Sequence, residues 1–168
     1  MPNKPQDPQS LMHQALTQAK KSPPKPTNYC VGALLINQAT QEILSTGYTL
    51  ELPGNTHAEQ CCLAKYAAQH NVPEERVSEV LPPNTAIYTT MEPCNFRLSG
   101  NAPCVERIIQ AKRIRTVYLG VKEPEKFVGE NEGRGKLEEC GIECVHVPGL
   151  EGEILEVATA GHEKGESE

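Results

Sequence analysis

Ala86-Ile-Tyr-Thr-Thr90 opens the stretch that decides the fold, and Thr116-Val-Tyr-Leu-Gly120 closes it. Both runs are rich in β-branched and aromatic residues, which suit the pleated surface of a strand. Between them lie a long loop to Pro103 and then Val105, Ile108, Ile109 and Ala111, spaced for one face of a helix. Strand, helix and strand in that order point to an α/β layer.

Upstream, Val31-Gly-Ala-Leu-Leu-Ile36 is a continuous apolar run, the mark of a strand buried on both faces. Asn37 to Gln41 makes a turn, and Glu42 to Tyr48 is an antiparallel partner. Pro53-Gly54-Asn55 then leads to Thr56, a residue able to N-cap a helix from His57 to about His70, and Pro82-Pro83-Asn84 breaks the chain again. Nearer the N-terminus, Asp7-Pro8 reads as cap and first turn of a helix with Leu11, Ala15, Leu16 and Ala19 on one face. Lys20-Lys21 suit its negative end, and Ser22 to Pro26 stops it. Downstream, Asn131 to Cys140 is expected to be helical up to Gly141, Ile142 to Val147 is a strand, and Leu150 to Ala158 an amphipathic helix. The expected architecture is α/β, a three-layer α-β-α sandwich around a mixed five-stranded sheet.

The 168 residues suffice for one domain with tails. The net charge of -6 is unevenly spread: positions 149–168 hold six Glu against one Lys, leaving the other 148 residues nearly neutral. No basic field tracks a polyanion, so nucleic acid is not an expected partner. No apolar run approaches the roughly 20 residues of a bilayer span, so no membrane association is expected. Neither a signal h-region nor an Arg-rich transit bias is visible, and the cytoplasm is the expected compartment. The seven cysteines are odd in number, and Cys61 and Cys62 are adjacent. A disulfide framework is therefore not expected, and packing, metal binding or catalysis remain.

Two helix starts carry the chemistry. One is Thr56-His57-Ala58-Glu59; the other is Pro93-Cys94, nine residues, and Cys104. If their strand-loop-helix units run parallel, both arrive at one end of the sheet. One imidazole and two thiolates make three protein ligands, the number a catalytic zinc takes when its fourth position stays open. Helix N-termini stabilise the thiolates. Glu59, not itself a ligand, can then take and return a proton while water adds to a polarised C=N carbon and ammonia leaves. Each piece has a plainer reading. Thr56-x-x-Glu59 is also a capping box, and a lone cysteine is more often packed in a core. Three independent pieces together favour the metal site.

The arrangement resembles the zinc-deaminase signature, His-x-Glu followed by Pro-Cys-x-x-Cys, with nine residues between the cysteines in place of two. The longer loop is where a narrower resemblance enters. Thr90-Met-Glu-Pro-Cys94, Arg97-Leu-Ser-Gly-Asn101 and Pro103-Cys104 look like the fungal-type diaminohydroxyphosphoribosylaminopyrimidine deaminases of riboflavin biosynthesis. Thr56-His-Ala-Glu-Gln-Cys61, Asn131-Glu-Gly-Arg-Gly-Lys136, Val147-Pro-Gly-Leu150 and Ala160-Gly-His162 resemble the same branch. The resemblance implies a cytidine-deaminase-like fold and hydrolytic loss of the 2-amino group from a diaminopyrimidinone 5′-phosphate, in the form that carries a ribityl chain. It implies one zinc per chain on His57, Cys94 and Cys104, with Glu59 as proton shuttle and Asn28 on the substrate. A homodimer is the expectation carried from the family.

The ring edge needs hydrogen bonds, for which the Asn28 amide and backbone groups around Ala58 are candidates. The phosphate needs donors, for which Arg97, Ser99 and Asn101 are candidates. Cys30, Cys61, Cys62, Cys140 and Cys144 are expected to be packed thiols. The chain divides into a tail and helix at 1–26, a zinc deaminase domain at 27–148, and an acidic helix and tail at 149–168. Leu150, Ile154, Leu155 and Ala158 should hold that last segment on the core, near the mouth of the site. Other deaminases of the same fold, acting on cytidine, dCMP or a tRNA adenosine, remain open readings. A tRNA enzyme would want basic, aromatic loops, and the chain has two Phe and no Trp. A non-catalytic zinc-stabilised interaction module is the alternative of a different class.

Overall fold

The computed structural model describes residues 7–26, 28–54, 56–93, 103–122 and 133–162. Helix α1 (Pro8–Ala19) starts where the sequence places it, with the Asp7 carboxylate accepting from Ser10 N–H at 2.7 Å. A hairpin follows, β1 (Gly32–Asn37) and β2 (Glu42–Tyr48), and then α2 (Ala58–Gln69). A short 3₁₀ segment, Glu74–Glu79, precedes β3 (Thr85–Met91). The remaining elements are α3 (Cys104–Gln110), β4 (Ile114–Val121), α4 (Gly133–Glu139), β5 (Glu143–His146) and α5 (Glu151–Ala158).

The sheet order is β2-β1-β3-β4-β5. β1 is antiparallel to both neighbours, while β3, β4 and β5 run parallel. The sheet is therefore mixed and five-stranded. Since β2 and β3 both oppose β1, they run the same way. Their C-terminal ends and the start of β1 share one edge, and that edge receives the candidate site.

Alternation along the central strands explains their unbroken apolar runs. Ala33 and Leu35 of β1 and Ile87 of β3 face α2, α3 and α4, joining Leu63, Ile108 and Leu137. Leu34, Ile36 and Tyr88 face the other way, onto Leu11, Leu16 and Ile154 of α1 and α5. Two cores on two faces make three layers, the α-β-α sandwich expected from the sequence. Each fully buried Leu or Ile contributes about 1.5–3 kcal/mol of transfer free energy, so both helical layers stabilise the sheet.

Two details depart from the sequence reading. Leu150, Ile154 and Ala158, each four residues apart, are buried, but Leu155 is 41% exposed because one residue on turns it about 100° around the helix. Cys140, at the end of α4, is exposed, whereas Cys30, Cys61, Cys62 and Cys144 are packed as expected. Among the described residues, no helix is long and apolar enough to cross a membrane.

Candidate active site

The end of β2 leads through a tight loop, closed by Leu50 N–H donating to the Thr56 carbonyl at 2.8 Å, into α2. His57 is the N-cap of that helix, in extended backbone at φ -97°, ψ 160°. Thr56, expected to cap it, instead donates its hydroxyl to the Leu52 carbonyl at 2.9 Å. The one-residue shift matters. The side chain reaching back to the cap is Gln60, accepting from His57 N–H at 3.4 Å, so Glu59 is not consumed as a capping-box partner.

Glu59 is 3% exposed and turns towards β3 and α3. Its Oε2 lies 3.2 Å from Thr89 Oγ1, and its Oε1 accepts from Cys104 Sγ at 3.5 Å. The Thr89 hydroxyl is also 2.7 Å from the Met91 carbonyl. One proton serves both acceptors, so Thr89 supports Glu59 only in exchange with Met91. Cys104 is the first residue of α3 and fully buried, with Sγ 3.4 Å from His57 Nδ1. The structure thus brings together His57, Glu59 and Cys104, from two helix starts 47 residues apart.

Cys94, Arg97, Ser99 and Asn101 lie outside the described residues. Among the described residues no group of three metal-ligating side chains is placed to hold an ion, and His57 and Cys104 are the two expected ligands that lie within them. The pair fits zinc in chemistry and spacing. Tetrahedral Zn–N and Zn–S bonds of about 2.0 and 2.3 Å put their donor atoms roughly 3.5 Å apart, close to the separation seen here. The neighbouring thiol does not compete: burial first, and then the charge of Glu59, push the Cys62 pKa well up, so it stays protonated. Burial likewise raises Cys61.

Asn28 precedes β1 at the same edge of the sheet. Its N–H donates to the Lys25 carbonyl at 3.3 Å, and its own carbonyl accepts from His162 Nε2 at 2.8 Å. Ala58 is fully buried in the first turn of α2, its carbonyl against Gly47 of β2. A Cβ at Gly47 would strike that carbonyl, so glycine lets α2 lie close on the sheet. Three participants were not singled out from sequence: Gln60, Thr89 and His162. A polar residue inside a strand buried on both faces was the available signal for Thr89, because burying a hydroxyl without a partner is costly.

The family model of the cytidine and deoxycytidylate deaminase zinc-binding region matches residues 5–121. The Rib2 deaminase of Aspergillus oryzae, solved as a C-terminal deletion mutant at pH 6.5, is 51% identical, with a TM-score of 0.86 over 94% of this chain and 93% of that one. The chain belongs to this deaminase family, in its Rib2 branch. The same Aspergillus oryzae deaminase was also solved in complex with DARIPP, at 51% identity and a TM-score of 0.85, covering 94% of this chain and 93% of that chain. The diaminohydroxyphosphoribosylamino-pyrimidine deaminase of Schizosaccharomyces pombe is 36% identical over 159 residues, 95% of this chain. The chain spans only 36% of the length of that curated relative. The family resemblance read from the cysteine loop and the His-Ala-Glu stretch therefore holds.

Proposed function

We propose that this Rib2-branch chain hydrolyses the 2-amino group of a 2,5-diamino-6-(ribitylamino)pyrimidin-4-one 5′-phosphate, giving the 2,4-dione and ammonia, in riboflavin biosynthesis. The observation that carries the reading is that Cys104 Sγ lies 3.4 Å from His57 Nδ1 and 3.5 Å from Oε1 of the buried Glu59 carboxylate. His57, Cys94 and Cys104 would hold one zinc per chain. Bound there, zinc supplies Lewis acidity that brings a water proton within reach near neutral pH.

The remaining steps belong to the chain. Glu59 accepts a proton from the attacking water as its oxygen bonds to ring C2. It passes a proton to the substrate, and the amino nitrogen leaves as ammonia when the C2–N bond breaks. Thr89 supports the carboxylate on its far side in exchange with the Met91 carbonyl. The Asn28 amide and the backbone around Ala58 bind the polar edge of the ring, while Arg97, Ser99 and Asn101 bind the phosphate. The near-neutral body suits a small anionic substrate better than a nucleic acid. The Aspergillus oryzae complex with DARIPP supports this substrate class. A homodimer in the cytoplasm, and the division into segments 1–26, 27–148 and 149–168, complete the proposal.

Glu59→Gln is the test. Turnover should fall by about 10²–10⁴, the scale of lost general acid–base catalysis, with zinc content unchanged. Turnover within a few-fold of wild type would remove Glu59 from the mechanism.

A further inference from the structure

The C-terminal end of α5 grips the segment that carries Asn28, and it does so at three consecutive residues. The Asn28 carbonyl accepts from His162 Nε2 at 2.8 Å; a carbonyl only accepts, so Nε2 carries the proton. The Tyr29 ring packs on the His162 ring, centroids 4.8 Å apart and tilted by 59°. Cys30 N–H donates to the Ala158 carbonyl at 3.0 Å. The turn that delivers His162 lies so close to the 24–30 segment that a Cβ on Gly161 would fall against the backbone of Pro24 and Lys25. Anchoring comes from α5 itself, whose Ile154 and Ala158 are buried against α1 and the sheet.

We infer that the turn from Ala158 to His162 is a latch on the substrate side of the site, and that His162 is a positioning residue for Asn28. This rests on the reading of Asn28 as a substrate-binding group. Asn28 sits four residues before β1, at the sheet edge where β2 and β3 deliver His57 and Cys104. Besides this hold, the stretch is defined by the Asn28–Lys25 turn, by Cys30 Sγ near the Ser22 and Pro23 carbonyls, and by the bonds of Val31 with Thr49. Hydrogen bonds to a rigid ring edge need their donors placed within about half an ångström. The latch supplies that placement from an element that carries none of His57, Glu59 and Cys104. A purely structural role would lower stability alone; a positioning role raises KM and spares kcat.

The experiment uses the zinc-loaded full chain and ammonia release from the ribitylaminopyrimidine phosphate, with Asn28→Ala as reference. His162→Ala should raise KM roughly five- to tenfold, the size of one lost hydrogen bond, with kcat within about twofold. His162→Gln, whose amide nitrogen lies as many bonds from the backbone as Nε2, should restore most of it. In the Asn28→Ala background, adding His162→Ala should change KM by less than about twofold, because neighbours acting through one contact are not additive. Hydrogen exchange over 24–30 should accelerate in His162→Ala and not in His162→Gln. The inference is overturned if Asn28→Ala raises KM while His162→Ala leaves it unchanged, or if the two effects multiply in full. If Asn28→Ala itself leaves KM unchanged, the substrate-binding reading of Asn28 fails first, and the latch falls with it.

Discussion

Gly47→Ala tests how closely packing controls the chemistry. Gly47 lies in β2 beneath the first turn of α2, the turn that carries Glu59. A Cβ there would meet the Ala58 carbonyl, stand 2.9 Å from Cys62 N and 3.1 Å from Cys61 Cβ. Two of these obstacles are helix backbone and cannot swing aside, so α2 must withdraw by several tenths of an ångström to about 1 Å to reach ordinary contact distances. Overpacking of this kind costs about 1–3 kcal/mol. For a chain of this size, that lowers Tm by roughly 4–8 °C at the middle of the range. The same withdrawal pulls Glu59 and His57 away from Cys104, and a misplacement near 1 Å costs on the order of 10²-fold in rate. Differential scanning fluorimetry and kcat/KM for ammonia release read both effects. Gly135→Ala is the control: nothing lies within 4 Å of its Cβ, and in α4 it should stabilise by about 0.5–1 kcal/mol without touching kcat. Wild-type Tm and kcat/KM in Gly47→Ala would refute the claim that the seating of α2 sets the site.

The other predictions probe separate parts of the structure. Ile154→Ala should cost about 2–4 kcal/mol in urea unfolding, whereas Leu155→Ala should stay within about 0.5 kcal/mol. Equal effects would mean that α5 is not anchored as described. Thr89→Val should lower kcat roughly three- to tenfold with zinc retained, and Thr89→Ser should recover it, since only the hydroxyl meets Glu59. Loss in both variants would make Thr89 a packing residue. Thiol labelling of the native protein should modify Cys140 quickly, and Cys62, buried and with its pKa raised, only on unfolding. Cys140→Ser should remove that fast reaction, and its persistence would contradict the burial pattern.

Much of the fold was legible because it rests on periodicity and punctuation. Asp7-Pro8 sets the start of α1 through local capping, and Val31 to Ile36 is apolar without a break because both faces of β1 are covered. The unseen parts rest on other causes. The 3₁₀ segment at Glu74–Glu79 buries only Val77, so it has no apolar period to read. The cap of α2 falls on His57, one residue later than expected, while the Thr56 hydroxyl turns back to donate to the Leu52 carbonyl, a geometry that composition does not reveal. Leu155 and Cys140 were assigned to the interior by residue type, yet Leu155 faces outward on α5 and Cys140 is exposed in the turn just after α4. His57, Glu59 and Cys104 could be grouped from sequence because zinc chemistry demands those types. The His162–Asn28 bond joins residues 134 apart, and no local pattern in the sequence pairs them.

The most direct measurement is ammonia release by the zinc-loaded protein from the 2,5-diamino-6-(ribitylamino)pyrimidin-4-one 5′-phosphate, beside its ribosyl form, cytidine, dCMP and tRNA. The account predicts turnover of the ribityl phosphate, weaker turnover of the ribosyl form and none of the others. Preferred turnover of cytidine, dCMP or tRNA, or zinc bound with no turnover of any of them, would contradict it.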